Sequence, residues 1–324
     1  MWLNRDAKSL IIICAILLLG TLLTACGQTI DSTASEAEQA QADTTESETI
    51  RFMAANGEIE LPQQPERIVV IADSYVGYFM ALGITPVGIS ENALKNPYFE
   101  GKVDGIESIG DSANPSLEKI LELKPDLIVT FSGTENIDQL EKIAPTAAIE
   151  YGQKDLREQL RDFGNLTGRE EEAEAWIAGW EEKIAEYKPQ VQEAVGDQTV
   201  SILQPYAKGI YAFGHNYARG GEIIYGEFEL KAPEMVQKEA IDSGQGWADL
   251  SLEMLPDYAG DYIFTSAWAG DDADPDVVYN STIWKSLPAV KNNRVFKIDP
   301  VGSFYNDPVS LEEQLDFIVQ SLTQ

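Results

Sequence analysis

Apolar residues recur every three to four positions between Thr167 and Gly196, and this spacing predicts one long helix that could bend at Pro189. Thr167 and Glu170 have the spacing of a capping box at its start, and Gly196 is suited to end it. At 1.5 Å per residue the helix would be about 45 Å long, enough to connect two domains. The apolar stripe comprises Ala173, Trp176, Trp180, Ile184, Tyr187, Val191 and Ala194.

Short apolar runs alternate with helical stretches on both sides of this helix. Before it, strands are predicted at 50–53, 58–61, 67–71, 87–89 and 126–130, and helices at 75–82 and 116–123. After it, strands are predicted at 199–203, 210–213, 262–265 and 294–298, and helices at 222–228 and 310–322. Such alternation is typical of parallel sheets with helical crossovers.

One helix–strand unit occurs twice. Residues 116–120 (SLEKI) and 126–130 (DLIVT) align with 251–255 (SLEML) and 261–265 (DYIFT) at a constant offset of 135. Chance similarity of two such units is the alternative explanation. We favour two Rossmann-like α/β lobes joined by a single long helix, with a ligand cleft where the loops at the strand ends converge.

The N-terminus has the pattern of an export signal. Arg5 and Lys8 precede an apolar run, and the sequence Leu-Thr-Ala-Cys ending at Cys26 resembles a bacterial lipobox. An ordinary cleaved signal is the alternative. The predicted domains are a signal peptide at 1–25, lipidated Cys26 with a disordered tether at 26–48, an N-terminal lobe at 49–166, the interlobe helix at 167–196 and a C-terminal lobe at 197–324.

The composition and motif content argue against several classes of function. A net charge of −31 over 324 residues disfavours nucleic acid and anionic lipid as partners. His215 is the only histidine, so a three-histidine metal site is impossible and a Ser-His-Asp triad would depend on that residue. The sequence contains no GxSxG, GxGxxG, P-loop or HExxH motif. We find no positive indication of catalysis.

The most distinctive loop spans 211–222 (YAFGHNYARGGE) and follows a predicted strand. As a ligand wall, Arg219 would donate hydrogen bonds to anionic oxygens, while Tyr211 and Tyr217 offer flat apolar surface. Alternatively, the glycines form a turn, the tyrosines pack in the core and Arg219 pairs with an acid. A second cluster at 304–308 (FYNDP) could extend the wall. Packing roles are expected for Trp247 and Trp284.

The chain resembles the ferric-siderophore-binding lipoproteins of ABC importers, most closely the hydroxamate-type receptors (ferrichrome and ferrioxamine) of Gram-positive bacteria. The resemblance runs in register from about Ile50 onward, in addition to the lipobox. It implies a fold like that of class III periplasmic binding proteins and a function without catalysis. The motifs that carry it are RIVVIADSYVGYFMALGITPVGIS, IGDSANPSLEKILELKPDLIV, YAFGHNYARGGE, GWADLSLEMLPDYAGDYIF and SFYNDP.

The resemblance also implies roles for individual residues. Arg219 would hydrogen-bond the iron-chelating oxygens, and Tyr217 and Phe304 stand where relatives have Trp. His215 stands where relatives tend to have Asp, and a family member that binds haem would use a histidine at this position. Fe(III) would arrive chelated, so the protein itself needs no cofactor or metal ligand. The complete set of implied ligand contacts is Arg219, Tyr217, Tyr211, Phe304, Tyr305 and Tyr75.

The resemblance further implies that Glu118 and Glu253, the two glutamates of the repeat, pair with arginines of a membrane permease dimer, a twofold partner that would suit a repeated unit. Two solvated surface glutamates are the alternative. The protein would be an extracytoplasmic monomer, tethered to the outer face of the cell membrane by Cys26, and its rigid spacer helix predicts small lobe closure. Catecholate siderophores, haem and cobalamin are rival ligands. A lipid-anchored hydrolase and an adhesion lipoprotein are rivals from other classes.

Overall fold

The computed structural model describes residues 49–268 and 274–324, so the predicted signal peptide, Cys26 and the tether lie outside it. No helix in these ranges is long and apolar enough to cross a membrane. The strands are β1 (Thr49–Ala54), β2 (Gly57–Pro62), β3 (Ile68–Val70), β4 (Gly88–Ile89), β5 (Glu107–Ser108), β6 (Gly110–Asp111), β7 (Asn114–Pro115), β8 (Leu127–Phe131), β9 (Thr146–Ile149), β10 (Val200–Tyr206), β11 (Gly209–Phe213), β12 (Trp247–Leu250), β13 (Tyr262–Thr265) and β14 (Val295–Lys297).

Helices separate most of these strands. The α-helices are α1 (Val76–Ala81), α2 (Glu91–Leu94), α3 (Leu117–Glu122), α4 (Ile137–Leu140), α5 (Leu156–Thr167), α6 (Glu170–Val195), α7 (Glu234–Val236), α8 (Leu255–Tyr258), α9 (Asp276–Tyr279), α10 (Thr282–Ser286), α11 (Pro288–Lys291) and α12 (Pro308–Leu322). The 3₁₀-helices are Asp73–Tyr75, Pro97–Phe99, Leu252–Met254 and Gly302–Phe304, and the π-helices are Glu222–Glu227 and Gln237–Ile241.

The N-lobe is built on a parallel sheet with the order β5-β4-β3-β8-β9. Its central strands are fully buried, as expected for a sheet covered on both faces. The predicted hairpin β1–β2 is present, but its turn residues are Ala55 and Asn56, and Gly57 is the first residue of β2. Asn56 also fixes the hairpin to the sheet, because its side-chain amide donates to the carbonyl of Thr146 at 2.9 Å.

The C-lobe sheet has the order β12-β11-β10-β13-β14 and is mixed. Strands β10, β13 and β14 are parallel, whereas β11 and β12 are antiparallel to their neighbours. Only Ala207 and Lys208 separate β10 from β11, and so short a connection allows only an antiparallel pair. The two lobes are therefore similar in their parallel halves and differ at one edge.

The repeat at an offset of 135 is confirmed in the structure. β8 pairs with β3 and β13 pairs with β10, so each copy lies beside the first parallel strand of its lobe. Asp126 accepts the backbone N–H of Arg67 at 2.9 Å, and Asp261 accepts that of Thr199 at 2.8 Å. Each aspartate thereby fixes the entry of the neighbouring strand, which the sequence pattern had not revealed.

The interlobe helix α6 begins three residues later than predicted, and the predicted capping box at Thr167 is wrong. Thr167 ends α5, its hydroxyl donates to the carbonyl of Phe163 at 2.7 Å, and Gly168 closes that helix with φ of 64°. A capping box does occur one helix earlier, between Asp155 and Glu158. Residues 156–195 thus form two helices, α5 and α6, of which only α6 was predicted from the sequence.

Along α6 the buried face changes from one hydrophobic core to the other. Ala173 and Ile177 belong to the N-lobe core, whereas Trp180, Ile184 and Val191 belong to the C-lobe core. Ala194 is exposed and Val195 is buried in its place, while Trp176 and Tyr187 are half-buried. The helix is about 39 Å long, continues through Pro189 and ends at Gly196 as predicted.

Helix α12 forms a second connection between the lobes. It packs in the C-lobe core, and its N-terminus lies against α1 and the Pro97–Phe99 turn of the N-lobe. The side chain of Asn96 donates to Ser310 Oγ at 3.1 Å, and Ser310 Oγ donates to Asp307 at 2.7 Å. Tyr305 donates its hydroxyl to the carbonyl of Asn92 at 3.2 Å. We call this group of residues the interlobe contact.

Candidate functional site

Arg219 lies in a tight loop between β11 and the π-helix Glu222–Glu227. Ala218, Arg219 and Gly220 have φ angles of 60°, 59° and 81°, a left-handed conformation that is rare for residues other than glycine. The backbone N–H of Arg219 donates to the carbonyl of Ser303 at 2.7 Å, which joins the loop to the segment before α12. A run of strained residues of this kind is typical of functional sites.

The guanidinium group of Arg219 is enclosed by aromatic rings and only 3% of the residue is exposed. Its carbon atom lies 3.9 Å from the ring centre of Phe304, 4.3 Å from that of Phe213 and 5.4 Å from that of Trp268. Its Nη1 donates to the carbonyl of Tyr217 at 2.9 Å, whereas Nη2 has no protein partner.

Arg219 has no ion-pair partner within the described part of the chain. Burial lowers the pKa of Arg219 to about 10, so the group is still protonated at neutral pH. A buried cation with unpaired N–H donors is suited to anionic oxygens, because hydrogen bonds between charged groups are among the strongest in proteins. The alternative prediction, that Arg219 pairs with a neighbouring acid, is not supported by this geometry.

The predicted aromatic residues surround Arg219 as one wall. Tyr217 is 39% exposed and its ring is parallel to that of Phe213 at 6.2 Å. Tyr211 stacks on Tyr206 at 4.1 Å and contacts the ring of Trp268 at 5.3 Å. The sequence analysis missed Trp268, Phe213 and Tyr206. Trp268 lies just beyond β13, at the sheet edge where loops of a ligand cleft meet.

The two remaining predicted contacts lie outside this wall, although Tyr75 lines a neighbouring cavity between the lobes. Tyr75 is only 3% exposed and packs against Phe131 and Phe163 in the N-lobe, although its hydroxyl has no hydrogen-bond partner. Tyr305 is 6% exposed and belongs to the interlobe contact. Neither ring forms part of the wall around Arg219.

Beside this wall lies a cavity of about 390 Å³ between the lobes, which we call the inner cavity. Tyr151 and Asn306 both line it, and the Tyr151 hydroxyl donates to Asn306 Oδ1 at 3.3 Å. Asn306 in turn donates to Glu222 Oε1 at 3.0 Å. The residues that line the inner cavity include Tyr75, Tyr78, Tyr151, Lys154, Asp155, Arg157, Gln159, Trp180, His215, Glu222, Glu227 and Asn306.

Glu118 and Glu253 occupy equivalent places on the two lobes. Glu118 lies in the first turn of α3, and Glu253 lies in the 3₁₀-helix that precedes α8. Both side chains are exposed. Hydrogen bonds from the Glu253 backbone and from Ser251 lower the pKa of Glu253, so its carboxylate is charged at neutral pH.

The described residues contain no group of three or more His, Cys, Asp and Glu side chains arranged to hold a metal ion. His215 lines the inner cavity and its Nδ1 has no partner. Trp284 is buried in the C-lobe core and Trp247 packs edge-on against Tyr211 at 5.4 Å, so both have the packing role that was predicted.

Comparisons with known proteins agree with this geometry. The family described as "Periplasmic binding protein" matches residues 68–301. The iron(3+)-hydroxamate-binding protein FhuD of Bacillus subtilis is 47% identical over 95% of this chain and 96% of its own length. A solved periplasmic binding protein component of a Fep/Fec-like ferrichrome ABC transporter from the same organism superposes with a TM-score of 0.80 at 48% identity, covering 84% of this chain and all of that one. FhuD2 of Staphylococcus aureus, solved with bound ferrioxamine B, superposes with a TM-score of 0.72 at 32% identity, covering 80% and 98% of the two chains.

Proposed function

Because this chain belongs to the periplasmic binding protein family, we propose that it captures an Fe(III)–hydroxamate siderophore in the cleft between its lobes and delivers it to an ABC permease. The relatives named above are binding components of transporters, so we propose a role without catalysis. The siderophore would supply all the iron ligands, and the protein would contact only the outside of the complex.

The observation that carries this proposal is the buried guanidinium of Arg219, whose Nε and Nη1 donate to Gln204 and Tyr217 while Nη2 has no partner. Its free Nη2 can donate to hydroxamate oxygens, and the wall of Tyr211, Tyr217, Phe304 and Trp268 can cover the apolar chain of the siderophore. A ferric triscatecholate carries several negative charges and would require several basic residues. Of the described residues that form this wall, only Arg219 is basic, although Lys95 lines a pocket beside Phe304.

Quenching of intrinsic fluorescence in the soluble domain would test the proposal. Ferrioxamine B, ferrichrome, a ferric triscatecholate and haem are titrated against the native protein and Arg219→Ala. We expect sub-micromolar binding of a hydroxamate, weakened at least tenfold in the variant, because the substitution removes a charged hydrogen bond of about 1.5–3 kcal/mol. Tight binding of the catecholate or of haem alone would refute the hydroxamate assignment. If none of the four ligands quenched the fluorescence, the siderophore role would be refuted.

Arg294→Ala is a matched control for this experiment. The guanidinium of Arg294 also lies over an aromatic ring, at 4.6 Å from the centre of Tyr262, but on the C-lobe sheet away from the wall. The substitution Arg294→Ala removes a similar cation–π contact and leaves the proposed site unchanged. Equal losses of affinity in the two variants would indicate general destabilisation of the C-lobe rather than loss of a ligand contact.

We further propose that Glu118 and Glu253 dock the permease. Both are exposed and both lie on the repeated unit, so two arginines of a twofold permease could engage them together. The double variant Glu118→Ala/Glu253→Ala should bind siderophore normally but fail to support uptake of radioactive ferric siderophore by cells. Glu186→Ala, an exposed glutamate on α6, is the control. Normal uptake by the double variant would refute the docking role.

The sequence at the N-terminus supports a proposal on location. Cys26 would carry the lipid that tethers the protein, as a monomer, to the outer face of the membrane. Cys26→Ala should move the protein from the membrane fraction to the soluble fraction and abolish labelling by a radioactive fatty acid. Retention of the label in this variant would place the lipid elsewhere.

A further inference from the structure

The inner cavity contains several charged side chains, and most of them are already paired. Lys154 forms an ion pair with Asp162, and Arg157 forms a two-pronged pair with Glu227 at 2.8 and 3.2 Å. Asp155 accepts the backbone N–H of Glu158 as the cap of α5. These groups hold α5, α6 and the π-helix together, so none of their charges is free for a ligand.

Glu222 is different, because one of its two carboxylate oxygens has no partner. Oε1 accepts the backbone N–H of Ala218 at 2.9 Å and the side-chain amide of Asn306 at 3.0 Å. Oε2 is buried and accepts nothing from the protein. In a π-helix, hydrogen bonds join residues five apart, so Glu222 and Glu227 lie about one turn apart and both line the inner cavity.

Besides Glu222 Oε2, four polar atoms in the cavity lining lack hydrogen-bond partners, among them Nδ1 of His215 and Oδ1 of Asn216. The other two belong to side chains that are more than nine-tenths buried. They are the hydroxyl of Tyr75, which is 3% exposed, and Nε2 of Gln159, which is 5% exposed. Because buried polar groups in native proteins are almost always hydrogen-bonded, an accumulation of unpaired ones around a single cavity indicates a built ligand site.

The charge and size of the inner cavity restrict what it can hold. Burial raises the pKa of Glu222, so a cation beside Oε2 would restore the charged carboxylate and gain a strong hydrogen bond. At roughly 30 Å³ per heavy atom, the share of a water molecule in the liquid, an aliphatic ammonium chain of six heavy atoms fits within about 390 Å³. A complete ferric trihydroxamate does not fit at that scale.

We propose that the inner cavity is a subsite for the ammonium-bearing arm of a linear trihydroxamate, with Glu222 as the group that recognises it. This inference rests on the proposed function, since the iron centre of the same ligand would lie against Arg219. Arg219 and Glu222 are three residues apart and would hold opposite charges of one molecule. The site would then prefer linear, cationic siderophores to neutral cyclic ones.

Ferrioxamine B, whose chain ends in a primary ammonium, and its neutral N-acetyl derivative test the subsite directly. Fluorescence titration of the native protein should give at least tenfold tighter binding of ferrioxamine B, the expected effect of one hydrogen bond between charged groups. Glu222→Gln should reduce this ratio to about one and leave the affinity for the acetylated ligand nearly unchanged. Glu229→Gln, an exposed glutamate paired with Lys188, should preserve the ratio.

Each outcome separates the subsite from the proposed function. Equal affinity of the native protein for the two ligands overturns the subsite and leaves the siderophore role intact, and this comparison needs no variant. Equal weakening of both ligands by Glu222→Gln means that Glu222 only supports the loop, and also overturns the proposal. Failure of the native protein to bind either ligand refutes the proposed function itself.

Discussion

Gly77, the second residue of α1, should not tolerate any side chain. A Cβ atom added there would lie 1.6 Å from Asp307 Oδ1 and 2.2 Å from Asp307 Cγ. These separations are about 2 Å shorter than an ordinary non-bonded contact. Asp307 is fully buried and caps α12 by accepting the backbone N–H of Ser310 at 3.0 Å, so it has no free space into which to move.

Gly77→Ala would therefore either displace the Asp307 side chain or separate α1 from α12. Loss of the cap costs about 1 kcal/mol, and overpacking of a well-packed site costs about 1–3 kcal/mol. We expect the free energy of unfolding to fall by roughly 2–4 kcal/mol, and urea denaturation followed by circular dichroism would measure it. The interlobe contact should loosen together with the fold.

Gly179→Ala in α6 is the matched control, because nothing lies within 4 Å of the added Cβ. The same substitution in an open helical position should stabilise the protein by about 0.4–1 kcal/mol. In Gly77→Ala/Asp307→Ala the obstructing carboxyl is absent, so the double variant should lose less stability than the sum of the single ones. A change below about 0.5 kcal/mol in Gly77→Ala alone would refute this account of the contact.

Three further predictions concern stability. Burial raises the pKa of Asp307 from 3.8 to about 6, so the folded protein holds this proton more tightly than the unfolded one. The stability from this group is therefore complete below about pH 4 and is lost as the pH rises through 6. Between pH 4.5 and 7 this loss amounts to roughly 2 kcal/mol, and Asp307→Asn, which keeps the cap, should abolish it in urea titrations over that range. Glu227→Gln should cost about 1–3 kcal/mol in urea denaturation, because Arg157 and Trp180 both donate to this carboxylate, and a loss near zero would contradict a structural role. Asp155→Ala should lower the thermal midpoint through a loss of about 0.5–2 kcal/mol at the cap of α5, and an unchanged midpoint would contradict the capping box.

The elements predicted well from the sequence are those whose patterns are local. The alternating strands and helices, most of α6 and the repeat at an offset of 135 follow from periodicity alone. The prediction of a capping box at Thr167 was wrong because Thr167 and Glu170 have the required spacing only by coincidence. Gly168 between them takes the left-handed conformation that ends α5, and this residue was the local indication of a helix end.

The site was predicted only in part, because its residues come from distant segments. The loop 211–222 could be recognised as a unit, and Arg219 lies in it as expected. The inner cavity joins Tyr151 after β9, Glu222 on a π-helix and Asn306 before α12, and no sequence spacing links these residues. Tyr75 was assigned to the cleft from the resemblance and does line the inner cavity, but its burial against Phe163 depends on packing that the pattern does not encode.

The contact of α12 with the N-lobe has a consequence for the order in which the chain folds. Asn96 and Ser310 are 214 positions apart, and Asn92 and Tyr305 are 213 apart, so these pairs close very long loops. Closing these loops costs conformational entropy, which must be met before the contacts add stability. Because the chain is made from its N-terminus, α12 is the last helix to become available. The face of α1 at Gly77, against which Asp307 packs in the folded protein, therefore stays uncovered until nearly the whole chain has been made. That interval is the period in which this part of the N-lobe is most open to aggregation and proteolysis.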